Sequence, residues 1–355
     1  MLEGIRVIDF SLYLPGPYAT LRLADFGAEV VKIEPSKGDQ IRQMANETLF
    51  AANNRGKKSV ALDLKLESEK EKALELIKTA DVVVESFRPG VMGRLGLGYD
   101  DVREINPNII YLSLTGFGQN SSLSHRGSHD LNYLAMSGML SQIKDDKGQP
   151  VQPTHTMADL IGGMVASETI LANLLKRERT GSGTYIDLAI TDAVFSMMEN
   201  HMMLSTVANV GTGIPVLNGS YANYRIYETK DQQFVSLGAL EYKFWNNFCL
   251  AVGQEDWLDH FPDQLKTPKV IKQLEQLFKT RTKAEWTTIG EEQDCCLFPV
   301  LEIDEVLKSD YINERGLLHQ EDNLSYVQTH YDSKATRFDV AELAEHNRMI
   351  TKDPN

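Results

Sequence analysis

Short apolar runs alternate with helix-period stretches over the first 190 residues. Val7-Ile8-Asp9-Phe10, Val30-Val31-Lys32-Ile33-Glu34, Val82-Val83-Val84-Glu85 and the runs at 59–64 and 109–114 are short and rich in β-branched residues, which predicts buried strands. Between them, residues 18–26 carry helical spacing, with Leu14-Pro15-Gly16-Pro17 read as a turn and Gly27 as a cap. Residues 68–79 predict a charged amphipathic helix, with Ser68 as N-cap and Glu71 three residues on. Residues 159–179 predict one long helix that opens on an acid, closes on Lys176-Arg177-Glu178-Arg179 and stops at Gly181. Residues 185–190 return to strand. This alternation predicts an α/β fold with a mostly parallel, doubly wound sheet.

The pattern then changes. Residues 191–222 hold Met197, Met198, Met202 and Met203 before a Gly/Pro-containing run, and read as a linker helix and loop. Residues 223–305 begin with a strand pair and continue in helices, which predicts a smaller α+β domain. The tail 310–355 is too polar to fold alone. It is expected to pack back on the large domain formed by residues 1–190.

The 355 residues carry a net charge of −14, which disfavours nucleic acid and anionic membrane as general partners but leaves room for a local basic pocket. Three cysteines, two of them adjacent (Cys295 and Cys296), match neither a disulfide framework nor a zinc spacing. With no signal-like N-terminus and no unbroken apolar run of about 18 residues, a cytoplasmic address and no membrane span are expected.

Basic residues cluster where a doubly wound sheet binds ligands, at the carboxyl ends of strands. Lys32 lies within one strand, Arg88 follows another, Arg94 lies six residues on, and Asn53-Asn54-Arg55-Gly56-Lys57-Lys58 precedes a third. Each reads as a candidate for phosphate or as a solvated loop charge. Gly116-Phe117-Gly118 lacks the third glycine of a dinucleotide loop, and there is no phosphate-binding Gly-x-x-x-x-Gly-Lys motif. His125, His129, His155 and Asp159 pair at spacings of four but match no zinc pattern, so no metal is expected.

His129 and Asp159 each stand where an apolar, helix-period run begins. Singly, His129 reads as the neighbour of a helix N-cap or a satisfied core histidine, and Asp159 as a plain N-cap. Together with Glu241, which follows the strand-like run 234–239, they form a set of two different bases with a carboxylate to support one of them.

Several segments, in order and densest over residues 1–190, resemble the class III CoA-transferase family (CaiB/BaiF type), whose members include formyl-CoA transferase, carnitine CoA-transferase and α-methylacyl-CoA racemase. They include Asp25-Phe26-Gly27-Ala28-Glu29-Val30-Val31-Lys32-Ile33-Glu34, Asn54-Arg55, Ala61-Leu62-Asp63-Leu64-Lys65, Phe87-Arg88-Pro89-Gly90-Val91, Arg94-Leu95-Gly96, Leu114-Thr115-Gly116-Phe117-Gly118 and Arg179-Thr180-Gly181-Ser182-Gly183. In transferases of this family the residue matching Asp159 is a nucleophile that forms an aspartyl-CoA thioester. The racemase branch adds a histidine in a Gly-His-Asp-x-Asn-Tyr context and a glutamate in Gly-Ala-x-Glu. Here these read Ser128-His129-Asp130-Leu131-Asn132-Tyr133, with serine for glycine, and Gly238-Ala239-Leu240-Glu241. Pro35 stands where members often carry an arginine that stacks on adenine, which leaves that contact unassigned.

The resemblance implies a large Rossmann-like domain, a small domain and an interlocked homodimer. It implies coenzyme A held along Lys32, Arg55, Leu62, Arg88, Arg94 and Tyr133, with no cofactor beyond the coenzyme A moiety of the substrate. It also implies inversion at the α-carbon of a 2-methylacyl-CoA by His129 and Asp159, with Glu241 orienting the histidine. Backbone N–H groups at the start of the Asp159 helix are the expected donors to the enolate oxygen, and the methionine run fits an acyl tail of variable shape. The competing readings are a CoA-transferase with Asp159 as nucleophile and an acyl-CoA-binding protein without activity.

Overall fold

The computed structural model describes residues 1–145, 147–321, 324–329 and 336–350. The chain forms two compact units, residues 1–198 with 315–355 and residues 199–314.

In the first unit the described elements run β1 (Arg6–Asp9), α1 (Pro15–Asp25), β2 (Glu29–Glu34), α2 (Thr48–Asn54), β3 (Lys58–Ala61), α3 (Glu67–Lys78), β4 (Val82–Glu85), α4 (Val91–Arg94), α5 (Tyr99–Ile105), β5 (Ile110–Thr115), α6 (Asp130–Met136), α7 (Met157–Thr180), β6 (Thr184–Ala189) and α8 (Ile190–Ser196). Six strands form one parallel sheet in the order β3-β2-β1-β4-β5-β6. This is the doubly wound order, with its reversal point between β1 and β4.

Strand residues alternate between two cores. One face packs Val7, Val30, Val82, Val84, Leu112 and Leu114 under α1 and α7. The other packs Ile8, Val31, Val60, Val83 and Tyr111 under α3 and α5. Burial on both faces is why these strands read as continuous apolar runs rather than as an alternation.

Three local boundaries differ from the sequence reading. Pro15 begins α1 instead of ending a turn, because a first-turn proline gives up an N–H that has no helical partner anyway. Ser68 does not cap α3, whose N-cap is Leu66 without a side-chain bond. The long helix starts at Met157, so Asp159 is its third residue and not its cap. Gly181, left-handed at φ 66°, closes that helix as expected.

By length and composition α7 is also apolar enough to cross a membrane, although no unbroken apolar run marks it in the sequence. Its small-residue face instead lies on neighbours in this unit. A Cβ on Gly163 would stand 2.6 Å from the Pro15 carbonyl oxygen, so only glycine lets α1 come this close.

The second unit holds α9 (Glu199–Ala208), β7 (Tyr224–Glu228), β8 (Phe234–Gly238), α10 (Tyr242–Ala251), α11 (Pro268–Phe278), α12 (Lys283–Gln293), β9 (Leu297–Pro299), α13 (Ile303–Val306) and α14 (Asp310–Glu314). The strands form an antiparallel sheet in which β9 adds a third member to the expected pair. Its core is aromatic, built on Tyr227, Trp245, Phe248, Phe278 and Trp286. The three cysteines are free.

After residue 314 the chain rejoins the first unit, where β10 (Leu318–Glu321) and β11 (Leu324–Val327) form a hairpin. The tail beyond residue 350 lies outside the described residues.

Candidate functional site

The start of α6 is built from the motif around His129. His129 is the N-cap in extended backbone (φ −138°, ψ 177°). Its N–H donates to Asn132 Oδ1 at 3.0 Å, and its carbonyl accepts the Asn132 N–H at 2.8 Å. This reciprocal pair fixes the histidine's backbone and leaves its side chain exposed.

Ser128 Oγ donates to Tyr133 Oη at 3.2 Å, and Tyr133 Oη donates to the Ser128 carbonyl at 3.1 Å. The serine that replaces the motif's glycine therefore holds the buried tyrosine. Gly116 makes room for both, since a Cβ there would lie 2.6 Å from the Tyr133 ring and 2.7 Å from Ser128 Oγ. With its hydroxyl engaged by Ser128 and its ring edge-on to Phe117, Tyr133 braces the loop behind His129.

Asp159 is half-buried in the first turn of α7. Its N–H donates to Asp130 Oδ2 at 2.9 Å, which ties the starts of α6 and α7 together. Burial pushes the Asp159 carboxyl up to about 7, and the neighbouring Asp130 charge pushes the same way. From sequence, desolvation and the helix start pull Asp159 in opposite directions. The structure decides for desolvation, and the Asp130 charge adds to it.

The same bond narrows the expected enolate donors. The Met157 N–H goes to the His155 carbonyl and the Asp159 N–H to Asp130, so two of the first three amides of α7 have partners within the fold. Sequence reasoning assigns Asp130 no role. An acid at the first helical position, directly after the candidate base, was the available signal.

The basic candidates divide. Lys32 and Arg55 are corrected as phosphate ligands, each with a side chain 1% exposed. Lys32 Nζ lies 3.1 Å from Asp39 Oδ2 and donates to the Ser11 carbonyl. Arg55 makes a two-pronged bond to Asp25 at 2.5 and 2.9 Å and reaches the carbonyls of Val327 and Arg337, which fastens the returning tail. Leu62 is a core side chain. Arg88 and Arg94 are exposed. Arg88 lies close to Gly127, where a Cβ would be 3.3 Å from Nη2, and so stands beside the segment that carries His129.

Glu241 is the exposed N-cap of α10 in the second unit. Glu85, at the end of β4, is a further carboxyl that burial lifts to about 7. It accepts the Phe87 N–H at 2.8 Å and lines a hollow of about 570 Å³ with Arg88, Tyr111, Ser113 and Tyr185. Among the described residues no three His, Cys, Asp or Glu side chains converge as a metal site.

Residues 2–349 match the description of CoA-transferase family III. The chain belongs to that family. Human α-methylacyl-CoA racemase is 35% identical over 89% of this chain and 81% of its own length. Mouse succinyl-CoA:glutarate CoA-transferase is 30% identical over 99% of this chain and 86% of its own. The crystal structure of the hypothetical protein Rv3272 from Mycobacterium tuberculosis superposes with a TM-score of 0.86 at 30% identity, covering 99% of this chain and 98% of that one. Members of family III are therefore similar to this chain whether they are named as racemases or as transferases, and the chain is an enzyme of that family.

Proposed function

We propose that the chain is an acyl-CoA racemase or epimerase that inverts the α-carbon of 2-methylacyl-CoA thioesters, with His129 and Asp159 as its two bases. The observation that carries this reading is the place of the Asp159 carboxyl, half-buried in the first turn of α7 with Asp130 beside it, a setting that lifts it to about 7. A group with that value both takes and returns a proton near neutrality, as a two-base site requires. Imidazole is the side chain that ordinarily titrates in the same range.

One base removes the α-proton, and the C–H electron pair moves into the thioester to form an enolate. The other base then delivers its own proton to the opposite face. Each half-turn leaves the first base protonated and the second free, so the enzyme is ready for the reverse direction. General acid–base transfer supplies about 10²–10⁴-fold, which leaves the remainder to enolate stabilisation. Glu241 keeps the orienting role that the resemblance gives it. Coenzyme A is read as the substrate's handle with no separate cofactor, the assembly as an interlocked homodimer and the address as cytoplasmic.

A second reading, a CoA-transferase with Asp159 as nucleophile, draws on the transferase relatives at comparable identity. One experiment separates the two. Incubation with a single 2-methylacyl-CoA in deuterated water, followed by NMR, is expected to show loss of the α-proton signal with no acid acceptor present. Absence of exchange, together with a hydroxylamine-sensitive protein thioester and CoA transfer to an added acid, would overturn the racemase. Arg88, exposed at the edge of this site, is assigned to a phosphate of the substrate. Arg88→Ala should weaken acyl-CoA binding about tenfold, the effect of losing one charge-assisted bond, read by calorimetric titration.

A further inference from the structure

The geometry points to Asp130 as the positioning residue of Asp159: its carboxylate captures a first-turn donor of α7 and sets a second negative charge beside the Asp159 carboxyl. This rests on the two-base reading of Asp159. The bond from the Asp159 N–H to Asp130 Oδ2, 2.9 Å long, links residues 29 apart in sequence and joins two helix starts. An acid in the first turn ordinarily gains from the exposed N–H groups there. Here that donor serves the neighbour, and the Asp159 carboxyl is left half-buried beside a like charge. Both effects favour its protonated form, burial first and Asp130 second.

The surrounding elements do not reverse this. From α6, besides Asp130, comes Tyr133, whose phenol is itself pushed up by burial, with Asp159 and Asp130 adding to the push. From α1 come Tyr18, against Gly163, and Arg22, whose Nε bonds Ser167 Oγ at 3.0 Å two turns along α7. From α8 comes Ile190, against Gly162, and from β5 the apolar Leu112 and Leu114. Burial and the Asp130 charge therefore act on Asp159 in the same direction, burial first.

The test is a ¹³C NMR titration of aspartate-labelled protein without substrate. Asp130→Asn keeps an oxygen to accept the Asp159 N–H and removes the charge. It is expected to lower the Asp159 midpoint by about one pH unit, the effect of removing one nearby like charge. Asp130→Glu, which keeps the charge, is expected to leave the midpoint close to that of the unsubstituted protein. An unmoved midpoint in Asp130→Asn overturns the proposal, since a purely structural residue would not move it either.

If Asp130→Asn does not fold, Asp130→Ser, a smaller neutral acceptor for the same N–H, takes its place, with the same lowering of the Asp159 midpoint expected. An unmoved midpoint there overturns the proposal. Because no substrate is present, a failed titration leaves the exchange reaction standing. Absence of α-proton exchange sinks the two-base reading while leaving the titration result intact.

Discussion

Two groups of buried acids in the first unit behave in opposite ways. Around the ends of β1, β2 and β3, acid meets cation. Asp9 lies 3.2 Å from Lys57, Asp39 3.1 Å from Lys32, Asp25 2.5 Å from Arg55 and Glu34 2.7 Å from Arg42. At the junction of α6 and α7, acid meets acid, Asp130 against the first turn that carries Asp159.

Burial is the largest influence on Asp9, Glu34 and Asp159 alike and pushes all three upward. Lys57 and Lys32 overcome it at Asp9, and Arg42 with Ser59 overcomes it at Glu34, so both fall below the usual carboxylate range. At Asp159 the Asp130 charge adds to burial, and the carboxyl rises to about 7. Burial alone therefore does not mark a reactive carboxyl; the partner decides whether it is scaffold or chemistry.

The largest effect should separate the groups by rate. Asp159→Asn removes the proton-transferring group and is expected to slow α-proton exchange about 10³-fold, within the range for loss of a general acid–base catalyst, with binding of acyl-CoA retained. Exchange within tenfold of the unsubstituted rate would make Asp159 a structural acid like Asp25.

Next comes stability. Arg55→Met strands Asp25 in a buried site and should cost about 3–5 kcal/mol in urea unfolding, the usual penalty for breaking a buried pair from one side. If the variant is as stable as the parent but loses acyl-CoA affinity, Arg55 is a ligand of the substrate after all.

The smallest effect is one of sign. Asp9 and Glu34, held low, add stability that is present above ordinary carboxylate values and lost as pH falls through their folded values. Asp159, held high, does the reverse. Its contribution is complete below the ordinary value of 3.8 and is lost as pH rises towards about 7. Chemical unfolding between pH 5 and 8 should therefore fall less steeply with pH in Asp159→Asn than in the parent. Parallel profiles would place the Asp159 carboxyl in the ordinary range.

Much of the frame was legible in the chain. Six short β-branched runs separated by helix-period stretches permit little besides a doubly wound sheet, and the observed order carries it. That a helix begins at His129 was legible because the apolar spacing that follows it is local, although the histidine proves to be the cap itself and not its neighbour. Lys32 and Arg55 were misread for a shared reason. A cation within or just before a strand reads the same in sequence whether it faces solvent or an acid, and Asp39 and Asp25 lie in other segments. Asp130 was passed over because its partner is 29 residues away and the contact is to a backbone N–H, which leaves no mark on residue type. β9 was missed because three residues, Leu297–Pro299, give too short a period to detect.

By itself the sequence determined the family, the parallel sheet and the identity of the two candidate bases, because periodicity and local motifs are written in neighbouring residues. Only the tertiary structure decided which charges are neutralised and which face another of their own sign. That depends on which distant side chain shares a buried volume, and in a medium of low polarity the nearest charge sets the proton's affinity.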